Sequence, residues 1–370
     1  MAKETFIESV LNMSKNRIYI CHTFYHVYIA CLKELVTYKN DKGNAAICLS
    51  TLSNDFKNLN KRLEKSGLFN EVFIYDEKPE EYFDELKKYH IDRGNLILNL
   101  FQRIKYTKLF GKLEAPFIPT NLKNYKDIFV FCDSDPIGYY LNYAKLSYHA
   151  LEDGLNCIQY YDTARYDNRG HFGLKAFLSK LGLIFIQNGY GRYCIDMEVN
   201  DISVLTYPCK KYIEQSREEL VNALSGDDKS TLCSIFIENM DALRERLNAS
   251  AGTKMLLLSE PLCDLETRKR IFTDIIDEYG TIDGKKALVL IKPHPRDTLD
   301  YKKEFSEHVV LDAFFPMEIL NFVEGLEFDR VASVFTVPNS IKFAKEIIFL
   351  GEDFMDKYEA PEIHRQNEQI

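Results

Sequence analysis

The chain has 370 residues, more than one hydrophobic core usually holds, so we expect two domains. Its formal net charge of −9 argues against a nucleic-acid-binding protein, which would present a basic face to phosphates. The 9 cysteines are scattered without a Cys-x-x-Cys pair, which predicts reduced, mostly buried thiols rather than a disulfide framework or a zinc site.

The sequence also bears on the compartment. Residues 1–21 lack the continuous apolar stretch of a signal peptide, and no segment approaches the roughly 20 apolar residues of a membrane-spanning helix. We therefore expect the protein to be cytoplasmic. Any contact with a membrane would be peripheral, on its inner face.

In the first half, short β-branched or aromatic runs alternate with helical patterns. Such alternation is typical of a parallel sheet with helices on both faces. The predicted strands are 17–21, 45–49, 71–75, 127–131 and 147–151, and the predicted helices are 25–35, 55–65, 80–89 and 137–146.

The middle of the chain shows helical patterns, and alternation then resumes. Small polar residues at 248–253 predict a domain boundary. We expect a Rossmann-like domain with a helical insertion over 1–250, a second Rossmann-like domain over 251–350 and a tail over 351–370. Helices are predicted at 173–186, 211–224, 231–248, 265–278, 315–323 and 340–347, and strands at 254–258, 287–291 and 329–335.

These two halves predict an α/β fold of two Rossmann-like domains facing across a cleft. Ligands of doubly wound sheets bind outside the carboxyl ends of the strands. Functional residues are therefore sought in the loops that directly follow predicted strands.

The loop after the first strand contains His22 and His26, one helical turn apart. This spacing could hold a metal ion, but without a third ligand, core packing or contact with an acceptor is favoured. Thr23 and Tyr25 lie in the same segment and are candidate substrate contacts.

Acidic residues follow two other strands of the first half. Glu152, Asp153 and Gly154 come directly after the strand at 147–151. They form either a plain turn, in which Gly154 supplies a positive φ, or a functional carboxylate site. Asp133 and Asp135 follow the strand at 127–131, and such a pair could clamp a diphosphate through a metal ion.

The central strand of the second half ends in a basic, proline-rich loop with Lys292, His294, Pro295 and Arg296. The prolines favour an extended segment, in which alternate side chains point the same way. Three potential cations on one side would form an anion site.

The last predicted strand ends in hydroxyl and amide side chains: Ser333, Thr336, Asn339 and Ser340. They could be a helix cap, or they could bind phosphate at the N-terminus of the helix predicted at 340–347. A carboxylate in one domain, with a histidine and a phosphate site in the other, would suit inverting transfer of a sugar from a nucleotide.

Several of these segments resemble motifs of one enzyme family. Residues 20–32 (ICHTFYHVYIACL), 151–156 (LEDGLN), 291–297 (IKPHPRD) and 333–341 (SVFTVPNSI) follow one another in the family's order. Residues 315–318 (FPME) resemble its Pro-x-Glu turn near the nucleotide. The chain thus resembles the bacterial sialyltransferases of glycosyltransferase family 52, related to the bacterial sialyl- and polysialyltransferases.

The resemblance implies a GT-B fold and an inverting sialyltransferase without metal or cofactor. The donor would be CMP-sialic acid, bound mainly by the second domain. The acceptor would be a galactose-type residue of a bacterial surface glycan, capsule or lipooligosaccharide, and whether the chain forms a homodimer stays open. Thr336 and Ser340 would hold the donor phosphate, and Glu318 would hold its ribose.

The resemblance also implies the catalytic roles. Asp153 would be the base that deprotonates the acceptor, with Glu152 and Gly154 beside it. His294 would act on the departing phosphate. In some members the base follows the first strand of the second domain, where Glu260 lies, so Glu260 is the alternative base.

Other functions stay open. A GT-B transferase could use a UDP-hexose or CMP-Kdo, a related enzyme could be a sugar-nucleotide epimerase or hydrolase, and a non-catalytic relative could only bind glycans. Acceptor specificity is expected in loops of the first domain such as 95–121.

Overall fold

The computed structural model describes residues 15–131, 133–154, 171–205, 209–247, 252–336 and 338–364. The chain divides into two compact units, Met1–Leu224 and Ser225–Ile370. Cys132, Cys157 and most of the boundary predicted at 248–253 lie outside the described residues. The cysteines inside them are free thiols, mostly buried. No helix in this part of the chain is long and apolar enough to cross a membrane.

The first unit is built on a parallel sheet, with seven strands among the described residues, in the order β3-β2-β1-β4-β5-β6-β7. Its strands are β1 (Lys15–Cys21), β2 (Ala45–Ser50), β3 (Glu71–Tyr75), β4 (Tyr125–Val130), β5 (Tyr148–Leu151), β6 (Cys194–Val199) and β7 (Tyr212–Glu214). Its helices are α1 (Phe24–Leu32), α2 (Leu59–Ser66), α3 (Leu96–Glu114), α4 (Pro136–Ala144), α5 (Phe172–Lys180) and α6 (Arg217–Asn222).

Strand β1 lies in the interior of this sheet because it can be buried on both faces. Ile18, Tyr19 and Ile20 are at most 1% exposed, as expected for a parallel strand covered by helices. β2 and β3 extend the sheet on one side of β1, and β4 to β7 extend it on the other. The carboxyl ends of β1 and β4 therefore flank the point where the strand order reverses, where doubly wound sheets bind ligands.

Several elements of the first unit differ from the sequence-based expectation. The helix predicted at 80–89 is two short 3₁₀ segments, Glu80–Tyr82 and Asp84–Tyr89, and the loop region expected at 95–121 contains α3. Strand β6 was not predicted because Glu198 interrupts its apolar pattern. The buried Glu198 carboxylate forms an ion pair with the ammonium of Lys33, at 2.6 Å. A charged residue therefore occupies an interior position of the sheet.

The second unit has a parallel sheet in the order β12-β11-β8-β13-β14. Its strands are β8 (Lys254–Leu258), the hairpin pair β9 (Thr281–Ile282) and β10 (Lys285–Lys286), β11 (Leu288–Lys292), β12 (Val309–Val310), β13 (Phe328–Ser333) and β14 (Ala344–Phe349). Its helices are α7 (Gly226–Phe236), α8 (Met240–Leu247), α9 (Leu265–Tyr279), α10 (Tyr301–Glu304), α11 (Gly351–Met355) and α12 (Pro361–His364). The strand order reverses between β8 and β13.

The two compact units meet in sequence at 224/225, earlier than the boundary predicted at 250/251. Helices α7 and α8 precede the predicted boundary but belong to the second unit. One contact that holds them there is the hydrogen bond from Arg246 Nη1 to the carbonyl of Val310, at 3.3 Å.

The helix predicted at 340–347 is wrong: this segment contains strand β14, which pairs in parallel with β13. Two ion pairs link the strands, Arg330 with Glu346 at 2.7 Å and Lys345 with Asp329 at 2.9 Å. The charged residues of this segment are cross-strand partners at the sheet edge, and such pairs stabilise adjacent strands.

A glycine at the contact of α3 with α4 gives a test of the packing. A Cβ on Gly111 would lie 2.2 Å from the carbonyl oxygen of Tyr139, which is backbone and cannot turn away. We expect Gly111→Ala to lower the free energy of unfolding by about 1–3 kcal/mol, measured by urea denaturation. Gly173→Ala is the control, because nothing lies within 4 Å of its Cβ. It should be neutral or stabilising by up to about 1 kcal/mol. Equal effects of the two substitutions would contradict the close packing.

Candidate functional site

In the first unit, chemically active side chains collect at the carboxyl edge of the sheet. His22 follows β1, Asp135 follows β4 and Asp153 follows β5. Because all these strands are parallel, their carboxyl ends lie at one edge. The motifs after β1 and β5, far apart in sequence, are therefore brought together.

One contact at this edge joins His26 to Asp153, through a hydrogen bond between Nε2 and Oδ1. His26 is fully buried and its ring stacks on Phe131, with centroids 4.4 Å apart. The Asp153 side chain keeps 37% of its surface exposed. The exposed carboxylate is therefore hydrogen-bonded to a buried imidazole, whose own orientation is fixed by stacking on Phe131.

The second ring nitrogen of His26 fixes its protonation. Its Nδ1 accepts a hydrogen bond from the backbone N–H of His22, at 3.0 Å. An accepting Nδ1 carries no proton, so the neutral ring has its proton on Nε2 and donates it to Asp153. Burial lowers the pKa of His26, and the nearby His22 lowers it further, against the opposing effect of Asp153.

His22 lies one turn away in a different environment. Its Nε2 lies 2.7 Å from Glu77 Oε2 and 3.4 Å from Asp135 Oδ2. Burial alone would lower its pKa, but Glu77 and Asp135 outweigh burial and raise the pKa to about 9. Glu77 in turn accepts from the hydroxyl of Ser50, at 2.5 Å, and from the N–H of Ile137, at 2.8 Å. At neutral pH this imidazole is a buried cation.

Glu77 was not identified from the sequence. It lies two residues past β3, next to Asp76, and acidic residues in a turn after a strand are a weak signal. Only the sheet order, in which β2 and β3 extend the sheet on one side of β1, brings it to His22.

The other candidate residues of the first unit each have their own environment. Thr23 caps α1, and its hydroxyl accepts from the N–H of His26, at 3.1 Å. Glu152 is buried and accepts from the N–H of Asn200, at 2.7 Å; burial raises its pKa. Gly154 has a φ of +133°, as the turn interpretation predicted. Tyr25 is half-buried, with its ring 6.3 Å from that of Tyr28.

The Asp133 and Asp135 pair is not arranged as an open metal clamp. Asp133 is buried and accepts from the Tyr148 hydroxyl, at 2.9 Å, and from the N–H of Asn188, at 2.8 Å. Burial raises the pKa of Asp133 to about 6. In the part of the chain that the structure describes, no three His, Cys, Asp or Glu side chains form a group that could hold a metal ion.

In the second unit, His294 begins a tight turn after β11. Its N–H donates to the Ser259 hydroxyl, at 3.1 Å, and its Nδ1 accepts from the N–H of Arg296, at 3.2 Å. The neutral ring therefore carries its proton on Nε2. Burial lowers the pKa of His294 to about 4, with further lowering by the charges of Arg296 and Lys292.

The expected row of three cations after β11 is not formed. The chain bends into a turn closed by a hydrogen bond from the N–H of Asp297 to the carbonyl of His294, at 3.0 Å, so the alternation of side chains ends. His294 is neutral at physiological pH, and Lys292 is buried. Arg296 alone of the three is an exposed cation, and Pro295 is half-buried.

Lys292 is held inside the second unit. Its Nζ donates to the carbonyls of Pro293, at 3.1 Å, and Ala313, at 3.0 Å, and lies 4.4 Å from the ring centroid of Phe315. Burial lowers its pKa to about 7, although Asp312 and Glu318 oppose the shift. This amine is poised to change charge near neutral pH.

A buried ion pair that was not predicted from the sequence holds the His294 turn. Arg268 Nη1 lies 2.5 Å from Asp297 Oδ1, and both side chains are buried. Asp297 also accepts from the Tyr301 hydroxyl, at 2.6 Å, and from the N–H of Leu299, at 3.0 Å. The Asp297 carboxylate thus anchors the turn to the unit's interior.

Glu260, the alternative base, is buried and fully engaged. Its carboxylate accepts from the N–H of Phe335, at 2.9 Å, and from the hydroxyl of Thr336. Burial raises its pKa. Ser333 donates to the carbonyl of Thr336, at 3.0 Å. Glu260 and Ser333 therefore fix the loop after β13, and the Thr336 hydroxyl is directed at Glu260.

The helix expected to bind phosphate with its N-terminus is a short 3₁₀ turn, Pro338–Ser340. Burial raises the pKa of Glu318, and a hydrogen bond with Ser340 partly offsets this. Asn321 donates to the carbonyl of Ser340, at 2.8 Å, and Asn339 is exposed. Ser340 thus lies beside Glu318, but without a following helix whose dipole could assist an anion.

The two histidines with large pKa shifts predict opposite pH dependences. The raised pKa of His22 gives stability that is present below about 6.5 and lost as the pH rises towards 9. The lowered pKa of His294 gives stability that is lost as the pH falls from about 6.5 towards 4. NMR titration of the imidazoles should show these two midpoints, and His22→Gln and His294→Gln identify the signals. Titration of both rings near 6.5 would contradict the two environments.

The chain is similar to known proteins in its fold and in part of its sequence. It has the fold of a galactoside α-2,3-sialyltransferase from Photobacterium phosphoreum (TM-score 0.50, 13% identity, 90% of each chain covered). It also matches a 2,6-sialyltransferase from Photobacterium sp. JT-ISH-224, determined with CMP and lactose (TM-score 0.55, 11% identity, 90% of this chain and 71% of that one). The predicted α/β fold of the GT-B type is confirmed.

A sequence relative is a protein of Haemophilus influenzae described as uncharacterized, 32% identical over 148 residues. That match spans 39% of this chain and 41% of the relative's length. The family model described as glycosyltransferase family 52 matches residues 70–343, most of the chain. As the ordered motifs predicted, the chain belongs to glycosyltransferase family 52.

Proposed function

We propose that the chain is an inverting sialyltransferase. It would transfer sialic acid from CMP-sialic acid to a galactose-type acceptor of a bacterial surface glycan, capsule or lipooligosaccharide. Membership of glycosyltransferase family 52 supports sugar transfer, and a protein of the same fold was determined with CMP and lactose. The observation that carries the proposal is the exposed Asp153 carboxylate, which accepts a hydrogen bond from a buried neutral histidine at the carboxyl edge of the sheet.

In this proposal Asp153 is the base. It takes the proton of the acceptor hydroxyl while the hydroxyl oxygen forms the new bond to the anomeric carbon of the sugar. The bond from that carbon to the CMP phosphate breaks, and its electron pair leaves with the phosphate. His26 donates to Asp153 and so fixes the orientation of the carboxylate, which is what general-base catalysis requires.

The proposed partner of the phosphate is His294. Its neutral ring carries a proton on Nε2, since Nδ1 is occupied by the N–H of Arg296. A hydrogen bond from Nε2 to the departing phosphate would stabilise the developing charge. A bound phosphate would also raise the pKa of His294, because a nearby negative charge favours the protonated form.

The contacts favour Asp153 over Glu260 as the base. Glu260 is 7% exposed, and its oxygens accept from the loop after β13. A base must be reachable by the hydroxyl it deprotonates. The more exposed Asp153 side chain meets that condition, whereas Glu260 stabilises the loop after β13 through its hydrogen bonds.

Metal independence is part of the proposal. The Asp133 oxygens are occupied by a phenol and by backbone N–H groups, so Asp133 and Asp135 do not form the open pair that a metal-bridged diphosphate would use. A CMP-linked donor has a single phosphate to neutralise, for which hydrogen-bond donors suffice.

The acid and base roles predict a kinetic pattern. Asp153→Asn and His294→Ala should each lower kcat by roughly 10²–10⁴-fold, because both groups act mainly in the transition state. The donor KM should change little. Initial rates with CMP-sialic acid and lactose, with mass detection of the product, measure both constants.

Glu260→Gln is the matched control for Asp153→Asn, since each exchanges one carboxylate for an amide. We expect the Glu260 variant to keep kcat within about tenfold of the unmodified chain, below the usual effect of removing a general base. Loss of turnover in Glu260→Gln with retention in Asp153→Asn would move the base to Glu260. A folded His294→Ala with full rate would refute the phosphate-side role.

The donor class predicts a binding order. CMP should bind in preference to UDP and GDP, also in EDTA, and saturation at 100 times the dissociation constant should stabilise the chain by about 2.7 kcal/mol. Thermal shift and titration calorimetry measure this. Glu318→Gln should weaken CMP by roughly tenfold or more, as expected for loss of a charge-assisted hydrogen bond, and Asp153→Asn should not.

Other nucleotide preferences would point elsewhere. Binding of UDP with no binding of CMP would favour a UDP-hexose transferase or a sugar-nucleotide epimerase. Turnover lost in EDTA and restored by manganese would favour Asp133 and Asp135 as metal ligands.

A further inference from the structure

The first unit contains a pocket of about 240 Å³, the α3 pocket, which is lined by residues 89–92 and by side chains of α3 from Asn99 to Tyr106. None of these residues belongs to the candidate site at the ends of β1, β4 and β5. Pockets for drug-sized ligands usually have about 300–1,000 Å³. The α3 pocket therefore suits one small, compact molecule.

Glu80, which follows β3, holds two aromatic rings of the pocket in place. Its carboxylate accepts from the Tyr106 hydroxyl, at 2.7 Å, and forms a hydrogen bond with Nε2 of His90. The rings of His90 and Tyr106 meet edge to face, with centroids 5.5 Å apart. Tyr106 is only 5% exposed, so this side of the pocket is anchored in the packed part of α3.

Hydrogen bonds also tie the segment before α3 to the first half of the helix. The Asn99 amide donates to Asp92, at 2.7 Å, and accepts from the N–H of Arg93, at 2.9 Å. The Gln102 amide donates to the carbonyl of Ile91, at 2.9 Å. These contacts preform the pocket, as is usual for sites that bind small molecules.

Arg103 gives the α3 pocket its charge. Its Nε is buried and has no hydrogen-bond partner among the residues that the structure describes. Its Cζ lies 5.7 Å from the ring centroid of Tyr106. Burial lowers the pKa of Lys175, and the charge of Arg103 lowers it further, so a second cation lies nearby. A buried N–H without an acceptor and two neighbouring cations are both unfavourable, and an anionic group bound at Arg103 would relieve both.

The other lining residues favour a sugar over a bare anion. Hydrogen bonds from Asn99 and from the N–H of Gly94 lower the pKa of Asp92, so its carboxylate is ionised. An ionised carboxylate accepts from hydroxyl groups and repels an anion. Tyr89 and Ile91 add apolar lining, on which the C–H groups of a sugar ring can pack.

We propose that the α3 pocket binds a single sugar unit that carries a carboxylate or a phosphate. The planar guanidinium of Arg103 would pair with the anionic group through Nε and one Nη. Asp92 would accept from hydroxyls of the same sugar, and the ring would pack on Tyr89. The site would hold an acidic sugar of a glycan, and it does not depend on the chemistry proposed for Asp153 and His294.

Calorimetric titration of the full chain with four probes tests the proposal. The probes are methyl β-glucuronide, glucose 6-phosphate, methyl β-glucoside and inorganic phosphate. At least one of the two anionic sugars should bind with a Kd on the order of a millimolar, from the usual free energy per ligand atom. The sugar that binds identifies the anionic group. Methyl glucoside, which lacks the charge-assisted hydrogen bonds, and inorganic phosphate, which lacks the sugar contacts, should each bind about tenfold more weakly.

Arg103→Gln should weaken binding of the anionic sugar by about tenfold or more and leave that of methyl glucoside unchanged. Lys105→Gln is the matched control, because it makes the same change in charge on an exposed residue of α3 that does not line the pocket. It should keep binding within about twofold, since salt screens exposed charges. If Arg103→Gln is not folded by circular dichroism, Arg103→Lys replaces it. Lysine keeps the charge without the planar fork and should still weaken binding severalfold.

Four results would overturn the proposal. Both anionic sugars could bind no more tightly than methyl glucoside. Lys105→Gln could weaken binding as much as Arg103→Gln, which would show a general effect of charge. Inorganic phosphate could bind as tightly as the sugars, which would make the pocket an anion site only. Excess CMP could displace the bound sugar, which would assign the binding to the donor site proposed in the second unit.

Discussion

The hydrogen bond from buried His26 to Asp153 depends on the whole architecture of the first unit. It joins a residue of α1 to one that follows β5, and only a parallel sheet brings the ends of β1 and β5 to one edge. The backbone N–H of His22 fixes the tautomer, and Phe131 fixes the plane of the ring. The fold itself therefore restricts the orientation of the exposed carboxylate.

His22 and His26 show how the environment, and not spacing, decides what a histidine does. They lie one helical turn apart and both are buried. Glu77 and Asp135 keep His22 charged, whereas His26 faces a backbone donor and one carboxylate, and burial keeps it neutral. The pair suggested a metal site by spacing alone. In the structure the two rings have separate partners.

The sequence allowed most of the strands to be predicted, because a parallel strand buried on both faces is a continuous apolar run, as in β1, β8 and β11. Prediction failed where a charged side chain is buried by a distant partner, as for Glu198 in β6, which needs Lys33. It failed again in β14, whose charges pair with β13. The candidate residues were found by the strands they follow. Their partners, Glu77 for His22 and Asp297 for the His294 turn, depend on sheet order and could not be read from local pattern.

In the second unit, burial lowers the positive charge of two basic side chains near the end of β11, His294 and Lys292. Burial lowers the pKa of His294 to about 4 and that of Lys292 to about 7, while Arg296 stays exposed. An anion near these groups would reverse the effect of burial, since a negative charge favours their protonated forms. In the proposed function, the donor phosphate would therefore increase the positive charge of these two groups. A permanently charged side chain buried at the same position without a partner would instead cost folding free energy.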